Sequence, residues 1–191
     1  MTREAGPVLD PELRRRLEAR YADPPRTYHS FGHAAAVAST VVELGGGRAA
    51  VLAAWFHDAV YEGRPGEDET RSAELARDWL ADDPDAAEVA RLVRLTAGHD
   101  PAGDDPDGAI LCDADLAVLG GPPEPYEAYR RAVRAEYAHL DDQTWREGRI
   151  AVLEGLLARP TIYRTAVARQ RWEAPARRNL TTELASLRPV T

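Results

Sequence analysis

The chain has 191 residues and a formal net charge of −8, with 32 acidic residues against 24 basic ones, every one of them arginine. That balance excludes general nucleic-acid binding, which rests on basic surface, and the lack of lysine excludes Schiff-base and Walker-type lysine chemistry. The length suits a core built without disulfides, and the single cysteine, Cys112, has no intrachain partner.

No strand signal is present, meaning no short alternating β-branched run between tight turns, so the expected fold class is all-α. Asp10-Pro11-Glu12 reads as an N-cap with proline at the first helical position. That helix should run to about Tyr21 and break at "ADPPR". A second helix is expected from near Tyr28 to the glycines at 45–47, a third from Ala49 to about Tyr61, and a fourth over 69–82. Asp83-Pro84 opens a fifth, reaching about Ala97, and a polar loop follows. A short apolar helix over 109–120, with Cys112 as a buried thiol, stops at Gly120-Gly121-Pro122-Pro123. Residues 124–140 form an amphipathic helix with Tyr126, Tyr129, Val133 and Tyr137 at helical spacing. This face suits either internal packing or a homodimer contact. A helix capped by Asp141 or Asp142 ends before Pro160, residues 161–174 are helical in part, and 174–187 form the last helix. No repeat or linker interrupts the chain, so one domain over 1–191 is expected. The N-terminal stretch has no signal-peptide core and no run approaches the roughly 18 apolar residues of a membrane span. A cytoplasmic protein away from membranes is the expectation.

Three apolar segments carry polar groups that do not belong there. Ala53–Gly63, "AAWFHDAVYEG", holds His57 and Asp58. "AILCDADLAVL" holds Asp113 and Asp115. His29 and His33 stand four apart, just ahead of "AAAVAS". An ionised carboxylate or unpaired imidazole in apolar surroundings costs several kcal/mol, so such groups persist where something pairs with them. A divalent metal accounts for all three, because imidazole nitrogen and carboxylate oxygen suit Mn, Fe, Co, Ni or Zn, and carboxylates suit Mg. Adjacent helical residues point about 100° apart, so His57 and Asp58 can meet at one ion near a helix end. One preceding histidine and one later aspartate would complete the set. His33, deeper in its helix than His29, is the better first ligand. Glu62, a turn beyond Asp58, is a candidate general base. Glu69 is a second candidate, at a helix start. Glu67 and Asp68 read as solvated loop charges. Arg130, Arg131, Arg134, Arg149 and Arg178 read as mostly solvated, with one or two free to line a cleft.

The ordered blocks "YHSFGH", "WFHDAVYEG", "EDETRSAELA", "LCDADLAVLG", "AEYAH" and "ARRNL" resemble a bacterial subfamily of predicted hydrolases in the HD-domain superfamily of metal-dependent phosphohydrolases. A lone His-Asp dipeptide carries no such weight; the ordered set, spanning about 28–180, does. The resemblance implies a single HD-type helical bundle and carries metal ligation onto His33, His57, Asp58 and Asp115. Asp113 is then a capping, water-orienting or alternative ligand carboxylate. His29 becomes a candidate for a substrate phosphate or for orienting a metal ligand from behind. His99 corresponds to an extra histidine that related enzymes place at a second metal or a substrate phosphate, though it also suits a surface site near a helix C-terminus. The implied function is hydrolysis of a small phosphate ester or nucleotide by metal-activated water. Two alternatives differ in chemistry. A di-iron HD-type oxygenase needs extra histidine ligands between the His-Asp pair and the final aspartate, where this chain has His99 alone. A non-catalytic metal- or ligand-binding domain needs the site but no turnover. An alarmone-type role is disfavoured because "AVYEG" stands where those enzymes place acids directly after the pair.

Overall fold

The computed structural model describes residues 9–22 and 26–188, and every regular element among them is helical. The all-α expectation therefore holds. The expected break at "ADPPR" falls mostly on residues 23–25, and the reading of the extreme N-terminus on residues 1–8; both lie outside the described residues. Among the described residues no helix is long and apolar enough to cross a membrane. The chain divides into two compact units, Met1–Asp115 and Leu116–Thr191.

The first unit contains α1 (Pro11–Tyr21), α2 (Phe31–Leu44), α3 (Arg48–Phe56), α4 (Glu67–Trp79), α5 (Ala86–Leu95) and α6 (Pro106–Asp115). Asp10 caps α1 as expected, accepting from the backbone N–H groups of Glu12 and Leu13 at 2.9 and 3.2 Å. Gly45 ends α2 with a left-handed φ of +85°, where a β-carbon is disfavoured. The unbroken apolar run has a simple cause: α3 is buried almost all round. Ala49, Ala50, Val51, Leu52, Ala53, Ala54 and Phe56 are all buried, against α2, α4, α5 and α6. Its alanines let four neighbours approach closely, and the buried thiol of Cys112 lies in the same unit.

Two boundaries differ from the sequence expectation, and both matter for the site. Helix α2 begins at Phe31 with Ser30 as its cap, so His29 lies ahead of the helix rather than one turn below His33. Helix α3 stops at Phe56 instead of Tyr61. Beyond it, side chains take the place of helical hydrogen bonds. Arg26 donates to the carbonyl oxygens of Asp58 and Ala59 at 2.9 and 3.2 Å. The Ser72 hydroxyl accepts from the Val60 N–H at 2.9 Å and donates to the Val60 carbonyl at 3.2 Å.

The second unit opens with a 3-10 turn, Leu116–Gly120, followed by α7 (Pro123–Glu136), α8 (Asp142–Ala158), α9 (Ala166–Ala168), a π-helical turn at Arg169–Glu173, and α10 (Ala174–Leu187). Asp141 is the cap of α8, accepting from Gln143 and Thr144 N–H at 3.0 and 2.9 Å. Helix α10 packs on α8 and the 3-10 turn. Tyr126 and Val133 of the amphipathic face of α7 are buried. Arg149, expected on a solvated face, is instead buried at 7 % side-chain exposure. Its guanidinium grips Glu183 of α10 through two bonds of 2.8 and 3.0 Å and donates to the Tyr129 hydroxyl at 3.1 Å. Tyr126 also donates to Glu183. Charge pairing buries an arginine that composition alone places outside.

Candidate metal centre

The ends of separate helices bring the candidate ligands together in the first unit. His33 lies in the first turn of α2, its N–H directed at Ser30 Oγ 3.4 Å away. His57 ends α3, and its ring Nδ1 is 2.8 Å from the carbonyl oxygen of Ala54. A carbonyl can only accept, so Nδ1 carries the proton and the neutral ring keeps its lone pair on Nε2. Asp58 follows in the turn, and Asp115 is the last residue of α6.

The donor atoms converge. His33 Nε2 is 3.2 Å from His57 Nε2, 3.1 Å from Asp115 Oδ1 and 3.5 Å from Asp58 Oδ2. His57 Nε2 is 2.9 Å from Asp58 Oδ2 and 3.4 Å from Asp115 Oδ1. Donors bound at about 2.0–2.2 Å to one ion stand roughly 3.0–3.5 Å apart at tetrahedral or octahedral angles. Asp58 Oδ2 is buried and receives no hydrogen bond, although His57 Nε2 is near. Both carboxylates also sit at or just past helix C-termini, where the helix dipole is unfavourable to an anion. A buried oxygen without a donor, facing two imidazole nitrogens, is a cation-shaped deficit.

The electrostatics say the same thing. Burial pushes the His57 imidazolium down, yet the charges of Asp58 and Asp115 outweigh it and hold His57 well above its ordinary value. Burial would likewise raise Asp58, but His57 foremost, with His29 and His33, holds it well below the carboxylate range. Asp115 is lowered against its own burial by His57, with hydrogen bonds from His33, His57 and His99 adding to the effect. The carboxylates therefore favour positive charge at this point.

His33, His57 and Asp58 form a group that could hold a metal ion, one donor atom from each lying within 4.8 Å of the others. No family model, curated protein or solved structure matches the chain. The residues themselves therefore carry the functional argument.

The other candidates are placed as follows. His29 stacks flat on Tyr61, with ring centroids 3.9 Å apart, and meets His33 edge-on at 5.9 Å. His99 reaches Asp115 Oδ2 with Nε2 at 2.7 Å. Asp113 is fully buried in α6, two residues before Asp115 and thus turned about 200° from it around the helix. Glu62, 42 % exposed, pairs with Arg71 at 2.7 Å. The hydrogen bond from Arg71 outweighs its slight desolvation and holds its carboxyl below the ordinary value, which weakens it as a base. Glu69 accepts from the Gly66 N–H at 2.5 Å and closes the N-terminus of α4.

Asp68 is a correction. Expected as a solvated charge, it is 4 % exposed. Its Oδ2 accepts from the N–H groups of Glu62 and Arg64, both at 2.8 Å. These two loop amides hold Oδ2, while the buried Oδ1 has no hydrogen-bond partner. With Arg26 and Ser72, Asp68 fixes the segment that follows the His57-Asp58 turn. Asp68 and Ser72 lie in the quoted block "EDETRSAELA", whereas nothing in the sequence marked Arg26. Asp68→Ala is expected to cost roughly 1–3 kcal/mol and to open residues 62–66 to proteolysis. Urea denaturation and limited digestion check both effects.

Proposed function

We propose that the chain is a metal-dependent phosphohydrolase of HD type, acting on a small phosphate ester or nucleotide. The observation that carries this reading is the grouping of donor atoms from His33, His57 and Asp58 within 4.8 Å of one another, with Asp115 Oδ1 within 3.4 Å of both histidine nitrogens and the buried Asp58 Oδ2 left without a donor. The chain order His, His-Asp, Asp supports it, as does the resemblance of the surrounding blocks.

His33, His57 and Asp58 would hold the ion, with Asp115 as fourth ligand through Oδ1. A bound divalent ion supplies a Lewis acid for a phosphoryl oxygen and brings the pKa of a water toward neutrality. The protein's part is positioning. The Ala54 carbonyl fixes the His57 tautomer, so Nε2 faces the centre. Arg26, Ser72 and Asp68 hold the turn that carries Asp58 and so help to position its carboxylate. His29, stacked on Tyr61 and near His33, would be the side chain to meet a substrate phosphate. Glu62 would have to release Arg71, and Glu69 the Gly66 amide, before either could take a proton. A carboxylate of the centre itself is the better water-orienting group.

The test is a panel of nucleotides and phosphomonoesters assayed with Mn2+, Co2+ and Mg2+. Turnover that is metal-dependent and lost in Asp115→Asn is expected. Metal-loaded protein that binds its ion tightly but hydrolyses no member of the panel would favour a non-catalytic binding domain.

A further inference from the structure

We propose that His99 is a positioning residue for Asp115, kept in a strained backbone conformation for that purpose; the inference rests on the metal centre of the reading above. His99 has a φ of +49°, while the other left-handed residues among those described, Gly45, Gly63 and Gly66, are glycines. It lies four residues beyond α5, past the Thr96 C-cap, and its N–H closes one last i→i−4 turn on the Leu95 carbonyl at 3.0 Å. This is the helix-terminating position that glycine normally fills, because a β-carbon there crowds the backbone. The preceding residue is Gly98, so a glycine stands one position away from where local chemistry favours it. A non-glycine residue in this conformation persists where the surroundings hold it there.

What the imidazole does from that position is specific. Its Nε2 lies 2.7 Å from Asp115 Oδ2. The other oxygen, Oδ1, faces His33 at 3.1 Å and His57 at 3.4 Å. A carboxylate rotates easily about its last bond. Engaging one oxygen fixes the direction of the other, so His99 aims Oδ1 at the two histidines. His99 is thereby reassigned from substrate or second-metal contact to orientation of a ligand. Such outer contacts set affinity as well as geometry.

The test titrates Mn2+ alone into wild type, His99→Gly, His99→Ala and His99→Gln. Both truncations are expected to weaken Mn2+ binding by roughly 10–100-fold at unchanged stoichiometry. Pulsed EPR should count the same imidazole nitrogens on Mn2+ in His99→Gly as in wild type. The Gln amide, which reaches about as far as Nε2, should recover part of the affinity. Metal-free His99→Gly should melt above metal-free His99→Ala, because glycine relieves the left-handed backbone. Wild-type affinity in His99→Gly would overturn the inference alone, as would the loss of one imidazole coupling, which would make His99 a ligand. Equal melting of the Gly and Ala variants would remove the strain argument. A wild type that takes up no Mn2+ would overturn the phosphohydrolase reading and this inference together.

Discussion

His57→Ala is expected to weaken divalent metal binding on the order of 100–1000-fold and to remove the proposed phosphohydrolase activity at ordinary metal concentrations. The magnitude follows from the ligand count. Protein sites of four ligands bind zinc with about 10–16 kcal/mol, so one ligand carries roughly 3–4 kcal/mol, which is two to three decades in affinity. His57 should sit at the upper end for three reasons. It is 2 % exposed, so no water replaces its nitrogen cheaply. Its ring is fixed by the Ala54 carbonyl at 2.8 Å. Its Nε2, like that of His33, also approaches the other three candidate ligands together. Without it, the largely buried carboxylates of Asp58 and Asp115 lose one of the imidazoles beside them, so the metal-free variant should also lose stability. Titration with Mn2+ beside an activity assay separates the two effects. Unchanged affinity in a folded His57→Ala protein would contradict the proposed centre.

The second large effect lies in the other unit. Glu183→Met is expected to destabilise the packing of α8 on α10 by roughly 3–5 kcal/mol, because it strands the buried charge of Arg149. Replacing both residues, Arg149→Met with Glu183→Leu, should restore most of the loss, since neither charge then needs a partner. The pH dependence has a definite sign. Burial would raise the Glu183 carboxyl, but hydrogen bonds and charge from Arg149, with Tyr126, hold it below its ordinary value of 4.5. A lowered folded value means that its contribution is present above the unfolded pKa. It is lost as the pH falls through the folded one. Acid should therefore weaken the wild type below about pH 4.5, and the double variant should lose that acid-sensitive component. Hydrogen exchange in α8 and α10, followed between pH 7 and pH 3, reads both predictions. Equal acid sensitivity in the double variant would show that the pair is not its source.

The helices were legible because their signals are local. Asp10 and Asp141 cap where their sequence positions say they should, and the apolar stretch of α3 is buried as its composition demands. The end of α3 was not legible. Apolar Ala59 and Val60 continue the pattern, and the helix stops because Arg26 and Ser72, 33 and 12 residues away from them, take the backbone groups. Long-range partners leave no periodicity. The same cause hid the burial of Asp68 and of Arg149, each held by a partner that residue type alone does not reveal. His33, His57, Asp58 and Asp115 stood out because polar groups in apolar runs conflict with their surroundings. His99 stood out less, since its distinguishing feature is a backbone angle.

The polar group of His33, His57 and Asp58, with Asp115 beside it, is proposed to hold a divalent ion. Metal content of the untagged protein, measured by mass spectrometry after reconstitution with Mn2+, Co2+ or Zn2+ and removal of excess, tests it most directly. About one equivalent per chain is predicted from a single four-donor site. No retained metal under any of these conditions would mean that the carboxylates and imidazoles neutralise one another through shared protons, and the account of the centre would be wrong.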